Sequence, residues 1–153
     1  MSMFRKNNEH IHGDLFGFEM SFDEQKSKNF KESAEYVFYE NIFCNIKEED
    51  FSVLYDDEHG RPNVPINCMV AALLLMTANE WTYEELKNNI DFNLLTRKAI
   101  GLQDINETPF AFSTLFYFQN KIQDSYLINI ILVITKYRGT NLNLSNCLIT
   151  QSF

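Results

Sequence analysis

The chain has 153 residues, enough for one domain with a real hydrophobic core. Its 45% hydrophobic and 14% aromatic content, with only five Gly and three Pro, excludes a disordered or fibrous protein. A net charge of −8 argues against a nucleic-acid binder, because phosphate contacts need Lys and Arg. The acid is concentrated, however: residues 1–60 hold 6 Lys and Arg against 14 Asp and Glu, whereas residues 61–153 hold 7 of each. Neither part has a basic excess, so charge by itself does not point to DNA.

The first residues are polar and basic with no apolar stretch behind them, and the longest apolar run, Met69 to Met76, is far short of the roughly 20 residues that span a bilayer. A cytoplasmic chain with no membrane partner is expected. Cys44, Cys68 and Cys147 are far apart, form no CxxC pair, and are not joined at zinc-finger spacing by His10, His12 or His59. They read as buried or free thiols in a reducing compartment. His10 and His12 are too few to make a metal site, so no cofactor is expected.

Residues 1–28 read as a polar, irregular lead-in that Phe16, Phe18 and Phe22 can anchor to a core. From Phe30 the apolar positions Ala34, Val37, Phe38, Ile42 and Ile46 recur at helical spacing, with Glu32, Glu35 and Glu40 off the stripe. A short helical turn follows at about Glu48 to Leu54. Gly60, Pro62 and Pro65 then mark a loop, and Pro65 suits the start of the next helix. Residues 66–78 are apolar all round and predict a central core helix. Thr82 and Glu85 form a capping box opening a helix over 83–90 that faces inward through Leu86 and Ile90. Asn93 to Ile100 predicts another short helix, with Arg97 and Lys98 in its last turn and Gly101 as its stop. Beyond Pro109, Ser113 is expected to cap a helix running to about Gln123. Leu127 to Ile134 is rich in Ile and Val, and Leu142, Leu144 and Leu148 alternate, so a short β segment is expected at the C-terminus. The fold class is therefore mainly α, a compact multi-helix domain with that β segment at its end.

Several ordered blocks carry a resemblance: Phe51 to Tyr55, the Gly60-Arg61-Pro62-Asn63 loop with Pro65, the apolar helix, Trp81, Asp91 to Leu102, then Pro109, Ser113-Thr114 and Phe118. Over roughly residues 10–123 the chain resembles the N-terminal region of bacterial DDE-type insertion-sequence transposases, the InsH N-terminal-domain group. The resemblance implies a helical domain that recognises the terminal inverted repeats of the element and helps to pair two ends. In such transposases a ribonuclease-H-like domain follows, where three acidic residues hold two metal ions that clamp the attacking and leaving oxygens. After residue 105 this chain has only Glu107 and Asp124 as acids. Thr140 to Cys147 looks like the family's first catalytic strand, with Asn146 where an aspartate belongs and Cys147 where a serine belongs. An amide binds Mg2+ far more weakly than a carboxylate. The division expected is a lead-in over 1–29, a helical transposase N-terminal domain over 30–124, and over 125–153 a catalytic domain cut off at its start. Such a chain is not catalytic by itself, and Mg2+ is expected only for a full-length relative.

The helices at 66–78 and 83–90, joined by a tight connector, look like a helix-turn-helix, with 113–123 as a later recognition helix. Such a helix enters the major groove with its polar side chains on base edges. Ser113, Thr114, Tyr117, Gln119, Asn120 and Lys121 are suitable types, since Asn and Gln pair with adenine. Any three-helix core has such corners as well, and Gln119 stands where relatives carry an arginine. Arg61 either touches DNA or ties its loop to a carboxylate or helix end. Lys87, Arg97 and Lys98 either form a phosphate-contacting patch or, for the last two, complement a helix C-terminus. Trp81 and the phenylalanines read as core.

Three functions follow: a module reading double-stranded transposon ends, a protein-interaction fragment that pairs with itself or intact transposase and inhibits it, and a remnant without a role. The apolar segment at Leu127 to Ile134 favours the second, since an unpaired strand seeks a partner. The substitution at Asn146 fits the third.

Overall fold

The computed structural model describes residues 6–8, 11, 17–54 and 64–123. Six α-helices occur among them: α1 (Glu24–Lys31), α2 (Ala34–Asn41), α3 (Ile66–Ala78), α4 (Tyr83–Phe92), α5 (Leu94–Ala99) and α6 (Phe112–Gln123). Short 3-10 turns lie at Phe18–Ser21, Phe43–Asn45 and Glu48–Leu54. The mainly helical class expected from the sequence is observed. The expected β segment lies outside the described residues, as do Arg61, Phe16, His10, His12 and Cys147. Cys44 and Cys68 are free thiols, the first exposed and the second buried.

The arrangement is organised around α3, whose residues from Ile66 to Thr77 are all buried. Against it pack Phe38, Ile42, Phe43, Ile46 and Phe51 from the first half of the chain. Leu86 and Ile90 of α4, Ala99 to Leu102, and Leu115, Phe118 and Ile122 of α6 complete the core. Full burial of one such side chain contributes roughly 1.5–3 kcal/mol. This burial outweighs the weak start of α3, where Pro65 provides no side-chain cap.

The missing cap comes from a distant residue. The Glu48 carboxylate accepts from the backbone N–H of Ile66 at 3.1 Å and of Asn67 at 3.2 Å. Its other oxygen accepts from the N–H of Asn7 at 2.6 Å. A negative charge at the positive end of a helix is favourable, yet Glu48 is only 1% exposed. Burial pushes its carboxyl above the usual glutamate range, against the three N–H donors that pull it down. Glu85 plays a similar part at the start of α4, accepting from the Thr82 N–H while its own N–H donates to the Thr82 hydroxyl. Exposed to water, it is held below the usual range by those hydrogen bonds.

The long stripe from Phe30 to Ile46 is not one helix. Ser33 divides it: its hydroxyl donates to the Phe30 carbonyl at 2.6 Å and accepts from the Tyr36 N–H at 3.2 Å, closing α1 and capping α2. A serine side chain that bonds nearby backbone competes with helix continuation. Ala34 and Val37, expected on the buried stripe, are exposed as a result. The lead-in is also more ordered than expected, because Asp23 caps α1 by accepting from the Lys26 N–H at 2.7 Å. Phe18 and Phe22 anchor it on Phe30, with ring centroids 6.0 and 5.1 Å away. The aromatic contacts continue through Tyr36 and Tyr39 to Phe43 in the core.

Two helices end in the same motif. At the end of α3, Trp81 N–H donates to Met76 carbonyl and Glu80 N–H to Thr77 carbonyl. At the end of α5, Leu102 N–H donates to Arg97 carbonyl and Gly101 N–H to Lys98 carbonyl. This paired pattern is the Schellman ending, which needs a left-handed residue between the two donors' carbonyl partners and the following chain. That residue is Gly101 at φ +82° in one case and Glu80 at φ +56° in the other. A Cβ at Gly101 would sit 2.2 Å from the Phe43 Cζ atom.

The two positions respond oppositely to exchange. Glu80→Gly removes the left-handed strain and raises stability by up to about 1 kcal/mol. Gly101→Ala adds that strain and a clash with a buried ring, lowering stability by about 2–4 kcal/mol. Urea unfolding of the two variants measures both. The carboxyl resonances of Glu48 and Glu85 titrate on opposite sides of the ordinary glutamate value. Because the folded chain holds the Glu48 proton more tightly than the unfolded chain, that group's stabilisation is complete below the unfolded pKa. It is lost as pH rises through the raised folded pKa, and the loss is absent in Glu48→Gln.

Candidate nucleic-acid interface

The helix α6 lies against α3 through Leu115, Phe118 and Ile122, spaced so that they share one face. Phe51 supports this face, its ring 6.2 Å from that of Phe118. The N-terminus of α4 meets one flank of α6: the Tyr83 hydroxyl donates to the Gln119 side-chain oxygen, and the Tyr83 and Phe116 rings are 6.1 Å apart. On the other flank the Lys121 ammonium donates to the Leu54 carbonyl at 3.3 Å. The helix is thus fixed to three neighbouring elements while its outer face stays open.

The candidate residues of α6 separate by face. Ser113, Tyr117, Asn120 and Lys121 are exposed, and Thr114 is half-buried. Gln119 is half-buried and turned toward Tyr83. Ser113 does not cap the helix as expected. The helix starts one residue earlier, at Phe112, and the Ala111 carbonyl accepts from the N–H groups of Thr114 and Leu115. The aromatic Phe116 was not among the candidates, although 51% of it is exposed. Its place three residues after Ser113 and four before Asn120 was the signal available.

The expected basic patch does not assemble. Lys87 is exposed on α4, but Arg97 is 2% exposed and points inward. Its guanidinium donates to the carbonyls of Ile90 at 2.7 Å and Glu107 at 2.8 Å, and also to that of Asp104. Ile90 lies in the last turn of α4, so the arginine satisfies a helix-end carbonyl there. Burial lowers the Arg97 pKa from its ordinary value, opposed by the nearby carboxylates of Glu107, Asp91 and Asp104. Lys98 lies over the rings of Tyr39 and Tyr36, 4.2 and 5.1 Å from their centroids, and pairs with Glu19 at 2.7 Å. Both cations therefore hold the domain together.

The connector between α3 and α4, Asn79 to Thr82, is a tight corner with Glu80 left-handed. Asn93 alone separates α4 from α5, and its side chain accepts from the N–H groups of Leu95 and Thr96. Among the described residues no three His, Cys, Asp or Glu side chains are grouped to hold a metal ion, and no helix is long and apolar enough to cross a membrane.

Arg97→Lys replaces a planar fork by a single ammonium that cannot reach three carbonyls together. The variant loses about 2 kcal/mol of stability, read by urea unfolding.

No curated protein and no solved structure gives a significant match to the chain. A family model described as a transposase domain, DUF772, matches residues 23–121. That range runs from the Asp23 cap of α1 to Lys121 in the last turn of α6, and so takes in α1 to α5 and all but the last two residues of α6. The chain belongs to the DUF772 transposase-domain family.

Proposed function

We propose that this domain is the DNA-binding N-terminal part of a transposase, acting in the cytoplasm on the terminal inverted repeats of its element and contributing recognition rather than catalysis. The observation that carries the reading is the outer face of α6. It is open to solvent, held rigidly from behind, and lined by Ser113, Tyr117 and Asn120, with Lys121 on its flank and no carboxylate in the helix. A 12-residue helix is about 18 Å long, and the major groove admits one. The α3–α4 corner has a turn of the length found in a helix-turn-helix, and α4 supports α6 through Tyr83 rather than acting as the motif's reader. In this reading α4 is not the reader, because its exposed face carries Glu84 and Asp91 beside Lys87. Thr114 and Gln119 border the reading face.

In this reading Lys87 and Lys121, the latter exchanging its bond to the Leu54 carbonyl for phosphate, are the cations that meet the DNA backbone, so log K falls against log salt with a slope of about −2. Fluorescence anisotropy of the full chain tests this on labelled duplex carrying the inverted repeats that flank its gene, beside scrambled duplex. Raising salt from about 50 to 200 mM weakens binding to the repeat roughly fifteenfold, and the scrambled duplex binds more weakly throughout. No binding to either duplex at the lower salt sinks the reading.

A second reading is a protein-interaction domain, favoured by Phe92, which stands 84% exposed at the end of α4. Light scattering on the same samples separates the two. A self-associated chain indifferent to duplex supports the second, and a complex whose mass rises only with the repeat supports the first.

A further inference from the structure

The outer face of α6 has a chemical bias beyond its openness. Ser113, Phe116, Tyr117 and Asn120 follow at i, i+3, i+4 and i+7 and make one stripe. Phe116 is 51% exposed and Tyr117 is 69% exposed, with ring centroids 6.3 Å apart. Phe116 is steadied by the Tyr83 ring at 6.1 Å, so the aromatic pair is positioned and still faces water. No arginine and no carboxylate occurs in α6, and its one lysine lies on the flank, donating to Leu54.

Base pairs differ in what they ask of such a stripe. Guanine presents two acceptors in the major groove and is matched by Arg or Lys, while cytosine offers a donor that a carboxylate accepts. Adenine presents an acceptor beside a donor, the pattern that a side-chain amide complements, and thymine presents a methyl group that takes an apolar contact. The stripe holds an amide, two aromatic edges and a serine hydroxyl that suits any base, and it has neither the Arg or Lys that matches guanine nor the carboxylate that matches cytosine. We infer that α6 reads A·T pairs in the major groove, with Asn120 on an adenine and Phe116 and Tyr117 against thymine methyl groups of neighbouring pairs. This rests on the DNA reading above and names the base class that the face selects.

Charge directs the choice of occupant. The exposed faces of α2 and α4 carry Glu40, Glu84, Glu85 and Asp91, which phosphates repel, whereas α6 carries no acid; α1 sets three exposed lysines, Lys26, Lys28 and Lys31, beside Glu24. A second copy of the chain fits this face less well. Each copy has a net charge of −8, and the two rings are interleaved with Ser113 and Asn120 rather than forming a continuous apolar patch.

The test uses the full chain and three duplexes of equal length: mixed-order A·T pairs, their G·C counterpart, and the A·T duplex with uracil for thymine, which lacks only the methyl groups. The A·T duplex binds at least about fivefold tighter than the G·C duplex. Uracil weakens binding about fourfold for each methyl contacted. Phe116→Ser and Tyr117→Ser erase the difference between thymine and uracil. Asn120→Ala, at an exposed position, erases discrimination against 7-deazaadenine and carries the test if an aromatic variant melts early. Equal affinity for the thymine and uracil duplexes, or preference for G·C, overturns the inference and leaves the DNA reading intact. Failure to bind any of the three overturns the inference, and the DNA reading is then decided by the repeat duplex of the preceding experiment. Aromatic variants that change the mass of the chain in solution and leave base preference untouched identify a protein contact and overturn the inference.

Discussion

A helix whose N-cap is a proline can be buried only if other groups satisfy its first N–H groups, and for α3 Glu48 accepts from Ile66 and Asn67 while the Asn67 side chain accepts from Cys68. Its carboxylate lies between the N-terminus of α3 and the backbone at Asn7, joining three parts of the chain at one point. On the helix so anchored pack α4, α6 and the turns at Phe43–Asn45 and Glu48–Leu54, while α1 packs on α2 and α5 on α2 and α4. The burial that pushes the Glu48 carboxyl upward also makes its hydrogen bonds stronger than they would be in water. One side chain thus fixes where the central helix begins, and through α3 it fixes where α4 and α6 can lie.

The cations show how the same residue type is put to different uses. Arg97 and Lys98, adjacent in α5, both face inward, one toward backbone carbonyls and the other toward a carboxylate and two tyrosines. The chain is acidic, and two of its positive charges stabilise its own helix ends and aromatic contacts. In the DNA-binding reading proposed above, the face of α6 would therefore discriminate by shape and hydrogen-bond pattern more than attract by charge. Base-edge contacts, not phosphate attraction, would then carry most of the difference between one duplex and another.

Local signals in the sequence were read well, and distant ones were not. The apolar run of α3, the Thr82–Glu85 capping box and the stop at Gly101 each depend on residues a few positions apart, and each stands where it was expected. Asp23 is an equally local cap, but the polar residues after it masked α1 because a helix on the surface needs little apolar content. Ser33 was harder: the apolar spacing runs straight across it, and only the competing side-chain hydrogen bonds reveal the break. The reach of Glu48 to Ile66 and the inward turn of Arg97 involve chain folding that no window of sequence contains. At the candidate site, the polar residues of α6 drew notice by type, while Phe116 passed as core because phenylalanine usually is core.

Arg97 bonds to main-chain carbonyls at Ile90, Asp104 and Glu107, and not to the side chains of those residues. Every amino acid supplies the same carbonyl, so those three positions can change identity without withdrawing a partner from the guanidinium. The arginine has no such latitude, since no other side chain offers a fork of that width. As hydrogen-bond partners the acceptors are therefore interchangeable and the donor is not, while Ile90 is held separately by its place in the core and Asp104 and Glu107 by the charge they set near the buried guanidinium.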